Sequence, residues 1–507
     1  MFRKALCSTA IVTILSVSTA FADVTPEEVW ENWQAMSTST GQDMTVGGSA
    51  RNGDTLEVTE IVVTQKDPMG GSASVSFDKL SFKDNGDGTV TVLMPESYPM
   101  SMAFPPEADG NGPGSMKLLV SQPGMTITAS GTSTETNYEF SAPAAAITLQ
   151  EVTDASGTVL KTKADLAMTG ASGKYVVHRE GDKTSIDTAF AVRSLSLNVE
   201  GQDPEGSGKG TGTLSLADVT MTMKGNVLGP DVMENMAVAL NSGFTMDMGI
   251  GFGAMSMSVD AVDATGPTKF TLGATDGSLN LALDKERMNY GLGLTGAKLV
   301  VSGPEIPFPQ VEVGLGEFAF NILLPVSKSD EPQAFAYLTK FVDLTSSEDI
   351  WGLFDPAGTL SREPVTLVLD VKGTGFWNQD IMQPGFDFDN LAGPEELPGE
   401  LDTLDLTLLQ AKAAGADVTA TGGVTIDNGA VDSFGAPVPT GKFTVNIKGV
   451  QALIDNLIAM GILTDDDAMG FRMVLAMYAR PGAGADALVS ELEFKDGGFF
   501  ANGQQIW

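Results

Sequence analysis

Apolar and polar residues alternate one by one along most of this chain, and a period of two is the repeat of a β-strand with one covered face. Thr89-Val90-Thr91-Val92, Ser194-Leu195-Ser196-Leu197-Asn198-Val199 and Lys442-Phe443-Thr444-Val445-Asn446-Ile447 are clear examples. Asp84-Asn85-Gly86-Asp87-Gly88, Asp276-Gly277, Asp427-Asn428-Gly429 and Asp496-Gly497-Gly498 supply turn chemistry that suits antiparallel hairpins. Strands do not alternate regularly with helical patterns, which disfavours a parallel α/β sheet. The expected fold is mainly β: long, curved antiparallel sheets with a few short helices, including a C-terminal helical hairpin.

Within the alternation one pattern recurs, with apolar residues at positions one, three, six and eight. It occurs in Val75/Phe77/Leu80/Phe82, Phe190/Val192/Leu195/Leu197, Leu214/Leu216/Val219/Met221 and Val313/Leu315/Phe318/Phe320, with Leu56/Val58/Ile61/Val63 as an imperfect fifth copy. In a plain strand the three-residue step turns the second pair to the opposite face. A β-bulge absorbs one residue, keeps both pairs on one face and bends the strand. Strand-turn-strand segments would produce the same spacing, so both readings stand.

Helical signals are few. Thr25-Pro26-Glu27-Glu28 has an N-cap, a proline at the first helical position and a capping-box glutamate, and Val29, Trp30, Trp33 and Met36 follow on one face. Residues 230–240, 334–342 and 347–354 are further expected helices, the last capped by Ser346 or Ser347. Residues 450–460 stop at Gly461 and restart after Thr464-Asp465-Asp466-Asp467, a helical hairpin with acids at the positive end of its second helix. Residues 95–114, 201–212, 303–309 and 384–399 are rich in Pro and Gly and read as surface loops.

The first residues have the form of a secretory signal: Arg3 and Lys4, an apolar stretch from Leu6 to Val17, then Ala20-Phe21-Ala22. Cleavage after Ala22 is expected, with Asp23 leading a periplasmic chain of 485 of the 507 residues. The single cysteine, Cys7, is lost with the signal, so neither disulfides nor thiolate chemistry is expected. A chain of this length exceeds one hydrophobic core. The soft division is a signal at 1–22, an N-terminal β-rich half at 23–225 and a C-terminal β-rich half with helices at 226–507, or else one continuous sheet system. Loss of Arg3 and Lys4 leaves 27 of the 29 basic residues against 65 acids. That charge repels phosphate backbones and anionic head groups, so nucleic acid is not an expected partner. It also keeps a large β-protein in solution.

No residue set rises to a catalytic, cofactor or metal site, and none is assigned. His178 is the single histidine and lies in a strand-like run, without the partners that a nucleophile-base pair or zinc set requires. Asp84 to Gly88 fails as a calcium loop, because Lys83 falls where the first carboxylate belongs. Asp465-Asp466-Asp467 reads as a helix start, and Asp387, Asp389, Glu395 and Glu396 as scattered acids that could bind calcium only weakly. Gly291/Gly293/Gly296 fit a loose phosphate-loop spacing but lie in a strand pattern. Met246, Met248, Met255 and Met257 could supply thioethers to copper, but their spacing of two is also that of a methionine-lined strand face.

The run Ser346-Ser347-Glu348-Asp349-Ile350-Trp351-Gly352-Leu353-Phe354-Asp355-Pro356, followed by Glu363-Pro364-Val365-Thr366-Leu367-Val368-Leu369-Asp370, resembles the domain-of-unknown-function family 2125, uncharacterised secreted envelope proteins of Gram-negative bacteria. Gly435-Ala436-Pro437-Val438-Pro439-Thr440-Gly441, Met460-Gly461-Ile462-Leu463, Ala479-Arg480-Pro481-Gly482 and Ala501-Asn502-Gly503-Gln504 carry the same likeness, as does Pro26-Glu27-Glu28-Val29-Trp30-Glu31-Asn32-Trp33. The resemblance implies a secreted β-rich protein and brings no reaction or catalytic residue. The leading expectation is a non-enzymatic periplasmic protein of unknown molecular role, binding or scaffolding, with a sheet-lined groove able to hold lipid or another apolar ligand. A closed sandwich is the opposing architecture. An outer-membrane β-barrel is the alternative and a periplasmic hydrolase the third reading.

Overall fold

The computed structural model describes residues 23–67, 70–105, 113–132, 134–181, 183–203, 208–233, 235–383, 399–431 and 437–507. The expected signal segment with Cys7, the acids Asp387, Asp389, Glu395 and Glu396, and Gly435-Ala436 lie outside these residues.

Among the described residues, twenty-seven strands form one sheet whose ladders are antiparallel. Most strands bond to the strand before and the strand after, as hairpins do. In places two short strands lie end to end in one lane: Met246–Phe252 and Met255–Val262 both lie against Lys209–Val227. Pro267–Ala274 and Asp276–Leu283 share the next lane, both against Arg287–Ser302. Roughly twenty lanes at about 4.8 Å spacing give a sheet on the order of 100 Å long across its strands. Pairing continues past residue 226, because Lys209–Val227 is bonded on both sides.

Several local expectations are corrected here. Asp276-Gly277 opens the strand Asp276–Leu283 instead of turning a hairpin, and Asp427-Asn428-Gly429 lies within Ala416–Val431. The expected helix at 334–342 is inside the strand Gln333–Ser346, because Phe335, Tyr337, Thr339 and Phe341 recur every second residue and suit a pleated surface. The expected loop at 95–114 contains the strand Ser97–Ala103. The turns at Asp84 to Gly88 and Asp496-Gly497 join strands as expected, the latter pair with φ of 53° and 71°.

The recurring apolar pattern marks a crease, though its mechanism differs from a bulge. Val192 pairs with Val219 and Ser194 with Ala217, leaving Arg193 and Asp218 facing each other outside the ladder. Both strands carry the extra residue at the same level, so the register is kept, whereas a bulge sets two residues against one. Glu60, Gly170, Asp218, Gly296 and Asp343 have φ between 49° and 60° along this line. Pro143 sits opposite Gly170 in the same line, where the absent N–H costs no ladder bond.

Side-chain direction reverses at the crease. In Lys209–Val227 the sheltered positions are even up to Leu216 and odd from Val219, with Thr211, Thr213, Ser215, Thr220 and Thr222 exposed on the other face. The half-turn therefore keeps apolar residues on one face along the whole bent strand. That face is the sheltered one.

At the N-terminal end the helix Pro26–Ser39 covers this face. Its start is fixed by a capping box: the Glu28 N–H donates to Thr25 Oγ1 at 3.2 Å and the Thr25 N–H to Glu28 Oε2 at 2.9 Å. Val29 and Trp30 are buried against Leu56, Val58, Leu80, Phe82, Val90 and Val92, and both Trp30 and Trp33 pack on Phe82 with ring centroids 5.7 and 5.5 Å away. Pro230–Met233 and Met236–Asn241 form a second small cover with Leu240, Phe244, Leu283 and Val326. The C-terminal hairpin pairs Val450–Ala459 with Asp465–Tyr478, whose N-cap Thr464 accepts from the Asp467 N–H at 3.2 Å.

Candidate functional site

Directly opposed residues trace rows across the sheet, and members of one row share a face. On one side of the crease a row passes through Tyr98, Val120, Ile147, Leu166 and Leu197, then Leu214, Met257, Leu272, Leu299 and Val313. On the other side a longer row begins with Leu56, Phe82, Val92 and Ile127, all buried beneath the N-terminal helix. It continues through Phe140, Phe190, Met221, Ile250, Leu279, Leu292 and Phe320, with Gly173 between the first two. Phe140 and Phe190 close over that glycine, their ring centroids 5.7 Å apart. Thr339, Leu369, Leu409, Ala420 and Val445 extend the row toward the C-terminus.

From Phe140 to Phe320 the large side chains of this row are half-buried, and none belongs to the buried core. In a sandwich a facing sheet would bury them. Met248, Met255 and Met257 lie on the same face, and Met246 packs beside the Pro230–Met233 and Met236–Asn241 helices. The methionine run thus lines a strand face, and unbranched thioethers suit a surface that must fit a variable apolar partner.

Where the covered and open parts of the face meet, a hollow of about 440 Å³ lies between the N-terminal helix and the sheet. Trp33, Met36, Met125, Ile127, Phe140 and Val177 supply its apolar wall. Asn32, Tyr138, Tyr175 and Arg179 supply its polar groups. Tyr175, Val177 and Arg179 alternate inward from the strand Thr162–Glu180, and Tyr138 faces Tyr175 from Glu135–Asp154 with centroids 5.9 Å apart. The Arg179 Nη1 donates to Asn32 Oδ1, and Asn32 Nδ2 donates to Thr136 Oγ1 at 3.2 Å. Tyr175 Oη lies 3.5 Å from Met36 Sδ.

Burial pushes Tyr175 up to about 12, reinforced by neighbouring Tyr138 and opposed by Arg179. Burial raises Tyr138 too; Asn32, Arg179 and Trp33 oppose the shift. Asn32 and Trp33 approach the Tyr138 oxygen as donors, but the buried hydroxyl has no acceptor for its own proton at hydrogen-bond geometry among the described residues. Both phenols are neutral donors through the physiological range.

Other concavities are less suited to an apolar ligand. A depression of about 660 Å³ is lined by Thr126, Ser141, Ser172, Lys174 and Thr220 together with Phe140, Phe190 and Met221 of the row. An apolar hollow of about 310 Å³ lies by Leu324, Phe335, Phe376 and Trp377.

The residues weighed in the sequence fall outside these hollows. His178 lies on the strand face opposite Arg179, its Nδ1 3.5 Å from Glu135 Oε2. Gly291, Gly293 and Gly296 lie in the strand Arg287–Ser302, and Asp465-Asp466-Asp467 form the first turn of the last helix. Among the described residues no group of three or more His, Cys, Asp or Glu is placed to hold a metal ion, and no helix is long and apolar enough to cross a membrane.

Asp355, in the motif that carries the family resemblance, is buried, and it fastens a loop. Its carboxylate accepts from the Leu360 and Thr359 amides at 2.8 and 2.9 Å and from Arg362 Nη1 at 2.6 Å. Burial pulls the carboxyl upward, but those two amides and the guanidinium outweigh it and hold the group at about 2. Arg362 also covers Trp351, 4.4 Å from the ring centroid. All the polar atoms of this knot face one another, leaving no opening for a ligand.

Residues 345–504 match a family model described as an uncharacterized protein conserved in bacteria, DUF2125. The matched span holds the Asp355–Arg362 knot and the C-terminal hairpin; the hollow under the N-terminal helix lies before it. No curated protein and no solved structure matches the chain.

Proposed function

We propose that this protein is a non-enzymatic binding protein of the Gram-negative envelope, exported to the periplasm by cleavage after Ala22, which holds lipid acyl chains or another apolar ligand along the sheltered apolar face of its sheet. One observation carries the reading: the row from Phe140 to Phe320 stays half-exposed on a sheltered face. Full burial of each such side chain is worth about 1.5–3 kcal/mol, so seven half-covered positions leave on the order of 10 kcal/mol that an occupant can supply. Continuous apolar surface of this extent is uncommon on a monomer without a binding role.

The outer-membrane barrel reading is weaker on two counts. A membrane barrel closes its edges and turns apolar residues outward to lipid. Here the first and last strands do not pair with each other among the described residues, and the outer face is threonine, serine and charge. The acidic surface disfavours tight grip on anionic head groups at large, so chains are held chiefly by their methylenes.

Native mass spectrometry of protein purified from the periplasm without detergent tests the proposal. Masses above that of the bare chain are expected, with lipid recovered in an organic extract. A single bare mass and a lipid-free extract would refute it.

A further inference from the structure

Five of the seven described arginines are neutralised. Arg51, Arg287, Arg362, Arg472 and Arg480 each sit in an ion pair. Of the other two described arginines, Arg193 is exposed, whereas Arg179 is half-buried at the wall of an apolar hollow. With 65 acids available, no carboxylate of the described residues pairs with Arg179. Its one side-chain bond goes to the neutral Asn32, leaving most of the five guanidinium donors unused.

A second, independent oddity faces the same space. Tyr138 is 6% exposed, and although Asn32 and Trp33 approach its oxygen as donors, its hydroxyl proton has no acceptor among the described residues. A buried hydroxyl left unpaired is costly, and native structures rarely keep one without a reason. Replacement by phenylalanine would remove that cost while preserving the packing against Tyr175. An unpaired cation and an unpaired donor thus converge on a hollow otherwise walled by Trp33, Met125 and Phe140, and Phe140 also begins the open apolar row.

We infer that this hollow anchors the carboxylate of a single-chain amphiphile, a long-chain fatty acid, with Arg179 and Tyr138 donating to its oxygens while the chain runs past Phe140 onto the open face. This rests on the proposed function and deepens it, because it fixes one end of the ligand and gives the face a head-group preference. A planar guanidinium fits a carboxylate with two parallel hydrogen bonds, and the apolar walls strengthen the contact by excluding water. The volume of about 440 Å³ falls within the range of about 300–1,000 Å³ typical of small-molecule sites. It admits a head and the first part of one chain; the rest extends along the row.

The test uses the full exported chain, delipidated, and two probes that differ only in charge: 9,10-dibromostearic acid and its methyl ester. Bromine quenches nearby tryptophan and Trp33 lines the hollow; because Trp377 lines the second apolar hollow, quenching is read in a Trp377→Phe background, where it reports binding at the first. The acid is expected to bind at least about tenfold tighter than the ester, the factor that one charge-assisted bidentate contact supplies. Arg179→Gln should reduce that preference to under about threefold while leaving the ester unchanged. Tyr138→Phe should weaken the acid alone by roughly two- to fivefold, with the urea midpoint unchanged or raised. Equal affinities in the unmodified protein, or a preference that survives Arg179→Gln, would overturn the anchoring site and leave the apolar face intact. Binding of neither probe would overturn the proposed function along with it.

Discussion

Replacing Gly170 by valine isolates the crease from every other feature of the fold. Gly170 has φ of 60°, in the left-handed region, and a Cβ there would meet Arg193 Cβ at 3.3 Å. A residue with a side chain forced into that region costs roughly 1–2 kcal/mol, and valine lies at the upper end because its branched Cβ crowds the backbone. Gly212→Val is the control. Gly212 lies in the sheet two residues from Leu214 on the same apolar face, has no positive φ, and its nearest neighbour to a new Cβ is Ser258 O at 4.0 Å. There valine should stabilise by roughly 0.5–1 kcal/mol, because it replaces the flexible glycine in an extended strand. The same substitution on the two strands that flank Lys183–Gln202 therefore has opposite signs. Urea unfolding followed by circular dichroism reads both midpoints. If Gly170→Val moves the midpoint upward as Gly212→Val does, the crease does not depend on a left-handed residue and the account of strand bending is wrong.

Three further outcomes follow from the geometry. Ile250→Asp, in the middle of the open row, should lower stability by only about 1 kcal/mol because the position is already half-exposed, yet it should sharply reduce recovered lipid; unchanged lipid content would count against the row as the binding surface. Thr25→Ala should remove the capping box and cost about 1 kcal/mol, read as a lower urea midpoint; no change would mean that packing of Trp30 and Trp33 alone holds the helix. The Asp355 carboxyl sits at about 2 in the folded chain, below its ordinary 3.8, so the unfolded chain takes up the proton first as pH falls. Its contribution is complete above pH 4 and is lost between about 4 and 2; Asp355→Asn should flatten the fall in thermal midpoint over that window, and an unchanged profile would place the acid sensitivity elsewhere.

Much of the architecture was legible because it rests on local period. The positions at one, three, six and eight, such as Leu214, Leu216, Val219 and Met221, do lie on one face of a bent strand. Neither of the two readings left open, a bulge or a strand-turn-strand segment, is the device, since a single strand cannot reveal that its neighbour carries the matching extra residue, as Arg193 and Asp218 do. The helix expected at 334–342 failed because Ala334, Leu338 and Val342 fit a helical face as well as Phe335, Tyr337 and Phe341 fit a strand. Turn dipeptides misled where aspartate and glycine fall inside strands, as at Asp276-Gly277, beside the crease.

The hollow was not legible. Asn32, Tyr138 and Arg179 are brought together across more than a hundred residues of sequence, so no local spacing announces them. One signal was present: in Tyr175, Val177 and Arg179 an arginine continues the apolar phase of a strand. His178, weighed as the candidate in that run, lies on the opposite face. An unpaired cation in the apolar phase of a strand points to a site more directly than a lone histidine does.

The most direct test of the central claim places a photoreactive benzoylphenylalanine at Met221 and Leu279 on the sheltered apolar face and, for comparison, at Thr222 and Asn280 one residue away on the opposite face. After irradiation in the living cell, lipid adducts detected by mass spectrometry should form at Met221 and Leu279 and be absent at the two outer positions. Adducts at neither Met221 nor Leu279, or equally on both faces, would contradict the assignment of this face as the ligand-binding surface.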